Sequence, residues 1–134
     1  MSDESRAHAA YKQRLMESRE TVLTELFGAG WAGAKHRVIW NEAAERWLAK
    51  DHRGPAALRL AQRVLSPALA AIPMSKQGPI VRAQRPGVPL LGPFAATDDG
   101  PRGLLDSGPL YAGESVARIY DVRRAGELVR ELTP

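Results

Sequence analysis

Seven of the ten prolines in this 134-residue chain fall between Pro73 and Pro109. A proline has no amide hydrogen, fixes its own φ and pushes the preceding residue away from helical conformation. A run of this density therefore holds neither a long helix nor an interior strand. Residues 73–109 are expected to be mostly extended loop, ordered only by lying on something else. Regular structure has to come from the residues on either side.

Upstream, Ser2 to Ser18 reads as a helix, with Ser2 or Asp3 as cap, Asp3 and Glu4 at its positive end, and Ala7, Tyr11 and Leu15 recurring every four residues. Glu20 to Phe27 (ETVLTELF) and His36 to Trp40 (HRVIW) are short β-favouring runs, the first with Val22, Thr24 and Leu26 on one side. Asn41 starts a second helix with Ala44, Trp47 and Leu48 on one face, and Gly54-Pro55 breaks it. A third helix fits Ala56 to Ile72, interruptible at Pro67. Downstream, a short helix is expected around Ser115 to Tyr120. Asp121 would then cap a last helix whose apolar face is Ala125, Leu128, Val129 and Leu132. The expected class is α+β, mostly helical with long proline-rich loops, in a single segment 1–134. Its parts are helix, two strands and helix over 2–49, helical structure over 50–72, loop over 73–109 and terminal helices over 110–134.

The length suits one core. Cysteine is absent and no secretory leader pattern is seen, so a cytoplasmic protein without a disulfide framework is expected. No apolar run approaches the roughly 20 residues needed to cross a bilayer, which speaks against a membrane location. The net charge is +4, and 15 of the 19 cations are arginines scattered among 15 carboxylates. A nucleic-acid face needs clustering, and only Arg123-Arg124 is a contiguous pair, so no nucleic-acid partner is expected.

Two short motifs invite chemistry and fail on context. GAGWAG (Gly28 to Gly33) has dinucleotide-turn spacing, but the β-favouring AKHRVIW follows it where a helix should leave. Gly113-Glu114-Ser115 suggests a nucleophile elbow, yet the last histidine of the chain is His52, upstream of the serine it would have to serve. A helix start with Ser115 or Glu114 near the first free amides is the expected role. His8, His36 and His52 share no metal-ligand spacing, and Thr97-Asp98-Asp99-Gly100 reads as a turn rather than a calcium loop. Of Trp31, Trp40 and Trp47, the last is expected in the core.

Two distant stretches resemble one family. Glu4 to Asn41 (ESRAHAAYKQRLMESRETVLTELFGAGWAGAKHRVIWN) is similar to the post-barrel segment of nitronate monooxygenases, FMN enzymes also called nitropropane dioxygenases. The pattern there is roughly ES-x-A-H-x-x-Y-K, T-V-x-T-x-x-F, G-W and H-R-V-x-x-N. Gly108 to Leu132 (GPLYAGESVARIYDVRRAGELVREL) resembles that family's closing L-Y-A-G-Q-S-V-G, then D-V or D-I, and P-A-x-x-(I/V)-V. Residues 50–78 match nothing in it. Glu114 stands where the family has an amide, Ala117-Arg118 where it has a Gly-apolar pair, and Arg124 where it has a proline. The resemblance implies a cover over a (β/α)₈ FMN barrel, with Tyr111, Gly113, Glu114 and Ser115 forming a wall near the flavin. The barrel, with its phosphate-binding turns and catalytic histidine, would lie upstream, so no catalytic residue is assigned here and this chain alone is expected to bind no FMN. The partner implied is an upstream barrel fragment or a family homologue. The competing expectation is a free-standing, non-catalytic helical interaction protein, for which the proline-rich stretch would have little to pack against.

Overall fold

The computed structural model describes residues 1–133. Along the chain run α1 (Ala9–Glu17), β1 (Val22–Thr24), β2 (His36–Val38), α2 (Glu42–Leu48), α3 (Ala56–Ala70), a 3-10 turn (Met74–Lys76), α4 (Gly78–Ala83), α5 (Leu104–Ser107), a second 3-10 turn (Glu114–Arg118) and α6 (Ala125–Leu132). The fold is α+β and mostly helical, around one small sheet.

β1 and β2 are antiparallel with Val22 opposite Val38 and Thr24 opposite His36. Val22 and Thr24 are buried and Leu23 is exposed, the alternation expected of a half-buried strand. Successive side chains at the end of β2 point to opposite faces, and this divides the interior in two. Val38 packs with Val22, Leu26, Phe27, Leu48, Leu58 and Leu91. Ile39 packs on the other side with Tyr11, Leu15, Leu104, Leu105, Leu110 and Val116.

α1 starts later than the apolar spacing suggests. Before it the chain turns at Asp3-Glu4 between two isolated bridges: Ser2 bridges Arg123, Ala7 bridges Thr97, and His8 caps the helix through Nδ1, which accepts from the Ala10 amide at 3.1 Å. Long-range backbone pairing satisfies the amides that a longer helix would have used. Glu4 does not serve α1; its carboxylate accepts from the Ala125 amide at 2.8 Å and so caps α6, the role expected of Asp121. Asn41 caps α2 as expected, its Oδ1 accepting from the Ala44 amide at 3.0 Å. Trp47 is partly buried against the first core cluster, and its indole N–H donates to the Pro86 carbonyl.

α3 runs through Pro67 without interruption. Pro67 lies in the last turns, where a missing amide removes one bond and little helix remains to be kinked. The helix turns a mostly polar face inward. Leu58, Gln62 and Ser66 are buried, while Leu60, Val64 and Leu65 are exposed. Residues 73–109 are less irregular than the proline density implies, containing a 3-10 turn, α4 and α5. Pro79 sits in the first turn of α4, where no amide is required. The stretch is ordered by the chain's own interior, because Leu91, Ala96, Leu104 and Leu105 are all buried in the two clusters. The expectation that it would have little to pack against is corrected by this packing. The tail's short helix is the 3-10 turn Glu114–Arg118, beginning one residue earlier and ending two earlier than expected. Thr97 to Gly100 forms the expected turn, closed by the Gly100 amide on the Thr97 carbonyl at 3.1 Å. No described helix is long and apolar enough to cross a membrane.

Candidate functional site

The residues from Leu110 onward continue the small sheet. Val38 bridges Tyr111, the Ile39 amide donates to the Leu110 carbonyl at 2.9 Å, and the Ala112 amide donates to the Arg37 carbonyl at 3.1 Å. Leu110 to Ala112 thus lies along β2 as a third extended segment and delivers Gly113, Glu114 and Ser115 to the surface beside His36 and Arg37. The four residues singled out from the sequence lie together in this one turn. Nothing lies within 3.6 Å of a Cβ built on Gly113, so the backbone there is open to close approach.

Tyr111 is held at both ends. Its hydroxyl donates to the Pro93 carbonyl at 3.1 Å, and its own carbonyl accepts from the Tyr11 hydroxyl at 2.7 Å, a bond spanning a hundred residues of chain. Burial pushes both phenols above their ordinary pKa; for Tyr11 the neighbouring Tyr111 adds to this and the bond to the Tyr111 carbonyl opposes it. Both stay neutral hydroxyl donors near neutral pH. The His36 ring stands 5.7 Å from the Tyr111 ring, tilted by 59°. Burial lowers the His36 pKa, opposed by its contact with the Phe27 backbone, and Nε2 is buried without a partner among the described residues. His36 is neutral at pH 7.

Glu114 does not turn back to the amides of its own helical turn. Arg37 Nη2 reaches Glu114 Oε1 at 2.7 Å, and Nη1 donates to Thr21 Oγ1 at 3.3 Å. Arg37 is about one-third exposed and Glu114 mostly so, which makes the pair a surface ion pair that aims Glu114 more than it stabilises the fold. Ser115 gains no general base from this neighbourhood: His36 faces Tyr111 and Glu114 is engaged by Arg37. The turn presents backbone amides, a serine hydroxyl and a tyrosine edge at the surface.

Arg37, His36 and Tyr11 complete the site and were not among the residues expected to form it. The run HRV marks a strand, but a strand pattern does not name the segment that will pair with it. GAGWAG leads into β2 through Gly30 and Gly33, both at positive φ, and no helix follows it. No family model, curated protein or solved structure matches the chain.

Proposed function

We propose that this chain is the C-terminal cover of an FMN-dependent flavoenzyme of the nitronate monooxygenase type, acting in the oxidative denitrification of alkyl nitronates together with a barrel supplied by residues outside these 134. The observation that carries this reading is the contact between the two stretches that resemble the family. They meet as a backbone ladder at Val38 and Tyr111, are joined by Asn41 Nδ2 donating to the Gly108 carbonyl at 2.8 Å, and are tied again by Tyr11 on Tyr111. Segments that together make one wall of a site ought to be assembled by direct pairing, and these are.

The residues present fit one side of a flavin. Gly113 allows close approach, the start of the Glu114–Arg118 turn presents free amides, and Tyr111 offers an aromatic edge. The FMN supplies the redox chemistry when bound. This chain's part is to exclude water and orient the substrate, with Arg37 neutralising the carboxylate that stands where the family carries an amide. Mixing the purified chain with a nitronate monooxygenase barrel truncated before its own post-barrel segment tests the reading. Co-elution, tighter FMN retention and nitronate-dependent oxygen uptake only in the mixture are expected, with Glu114→Gln raising turnover. No complex and no gain of flavin would sink it.

A second reading is a free-standing interaction protein. It is favoured by the proline-rich stretch packing on the chain's own core through Leu91, Ala96, Leu104 and Leu105. A single sharp thermal transition of the isolated chain, together with failure to join any barrel, would favour it over the first.

A further inference from the structure

Beside the Tyr111 turn, and separated from it by Pro93, lies a cavity of about 410 Å³. Its walls are the Ala29–Trp31 loop, the C-terminal end of α3, the Ile72–Ile80 segment and Leu90–Phe94. The lining includes Trp31, Leu69, Ile72, Met74, Ile80 and Phe94 and carries no charged side chain; Gln77 is its one amide side chain, and its Nε2 already donates to the Ile72 carbonyl.

An apolar hollow of this size gains by collapsing unless its walls are fixed, and here they are. The Ala29 amide donates to the Leu91 carbonyl at 3.1 Å and the Ala32 amide to Ser66 Oγ at 3.1 Å, while Gln62 Nε2 donates to the Leu26 carbonyl at 2.7 Å. On the opposite wall the Gly92 amide donates to Gln84 Oε1 at 2.9 Å. These bonds explain why α3 turns Gln62 and Ser66 inward: they hold the loop that carries Trp31. Gly92 is required as well, since a Cβ there would fall 2.5 Å from Phe94 Cε2, and Phe94 could not fold over it to close one side.

We propose that this cavity is a binding site for an uncharged, predominantly apolar small molecule, such as a fused aromatic ring or a branched alkyl compound. At about 30 Å³ per water the volume holds roughly fourteen water molecules, and at the closer packing of a bound organic molecule a ligand of about ten to twenty non-hydrogen atoms. The absence of any charged lining group excludes carboxylates, phosphates and protonated amines, whose desolvation would go uncompensated. The proposal is independent of the flavin-cover reading.

The test is titration of the full chain with N-phenyl-1-naphthylamine, a neutral dye that fluoresces on leaving water, with naphthalene as competitor. Saturable one-to-one binding is expected, displaced by naphthalene. Met74→Asp and Ala70→Trp should each weaken it at least tenfold, both being exposed positions on the rim where substitution spares the core. Circular dichroism confirms folding of each variant, and Val129→Asp on α6, an exposed apolar site elsewhere, should leave binding unchanged. No saturable binding, or binding indifferent to Met74→Asp and Ala70→Trp, overturns the proposal. So does a dimer in gel filtration that Met74→Asp dissociates, because the occupant would then be a second copy of the chain.

Discussion

Asn41 reaches across to Gly108 with its side-chain amide, donating to the glycine's carbonyl at 2.8 Å and to that of Leu105 at 3.2 Å, while its Oδ1 holds the first turn of α2. One buried residue thus starts a helix and fastens the C-terminal segment to it. Replacing it by alanine removes a helix cap, worth about 1 kcal/mol, and strands the buried Gly108 carbonyl at about 1–3 kcal/mol, while the Leu105 carbonyl keeps its bond from Arg14 Nη1 at 2.7 Å. Asn41→Ala is expected to lose roughly 2–4 kcal/mol in urea denaturation. A loss below about 1 kcal/mol would show that the two segments are held together by other means.

Gly108 is the other half of that junction and has no room for a side chain. A Cβ there would lie 2.5 Å from the Phe94 carbonyl oxygen and 2.9 Å from that of Leu104, both backbone atoms. Gly108→Ala is expected to cost about 1–3 kcal/mol or more, since overpacked sites relax only by moving backbone. Gly126→Ala, with nothing within 4 Å, is the control and should be neutral or slightly stabilising in its helix. Thermal melts of the two variants separate the effects.

Burial lowers the His36 pKa in the folded chain below its ordinary value of 6.5. The unfolded chain then binds a proton that the folded chain resists, so stability contributed by neutral His36 is present above pH 6.5 and is lost as the pH falls through 6.5 toward the folded value. His36→Phe should flatten the pH dependence of stability in the interval below about pH 6.5 relative to the parent. Identical slopes for the two proteins in that interval would contradict the assignment.

Glu4 caps α6 from the opposite end of the chain. The contact is exposed, so Glu4→Ala is expected to leave global stability almost unchanged while speeding amide exchange at the start of α6. Asp121→Ala, which removes the residue that sequence pattern nominates as the cap, should leave that exchange unchanged. The reverse result would restore Asp121 to the role.

The isolated chain is expected to be colourless after purification in excess FMN. A helix N-terminus attracts an anion by about 0.3–1 kcal/mol at an exposed site, and the turn at Glu114–Arg118 is only a short 3-10 segment. Micromolar affinity requires about 8 kcal/mol. An absorbance scan after gel filtration checks this, and a stoichiometric yellow complex would show that the chain holds a flavin site of its own.

The elements set by contacts close in sequence were legible without a structure. Asn41 as a cap, the alternation of Val22 and Thr24, the turn at Thr97 to Gly100 and the absence of a helix after GAGWAG follow from side-chain chemistry and periodicity within a few residues. The same holds for the grouping of Tyr111, Gly113, Glu114 and Ser115, which are neighbours in the chain. What needed the tertiary structure is every choice between equivalent partners. Glu4 could cap either of two helices, and the pairing of Ser2 with Arg123 gave it to α6. Glu114 could turn to its own amides or to a cation, and the register of Tyr111 on Val38 brought Arg37 within reach. The inward face of α3 was decided in the same way: apolar residues lie on more than one face of the helix, and Gln62 and Ser66 turn inward with Leu58 to bond the Leu26 carbonyl and the Ala32 amide, while Leu60 and Val64 stay exposed. Periodicity records which residues are apolar; it does not record which backbone groups elsewhere in the fold will be left without water.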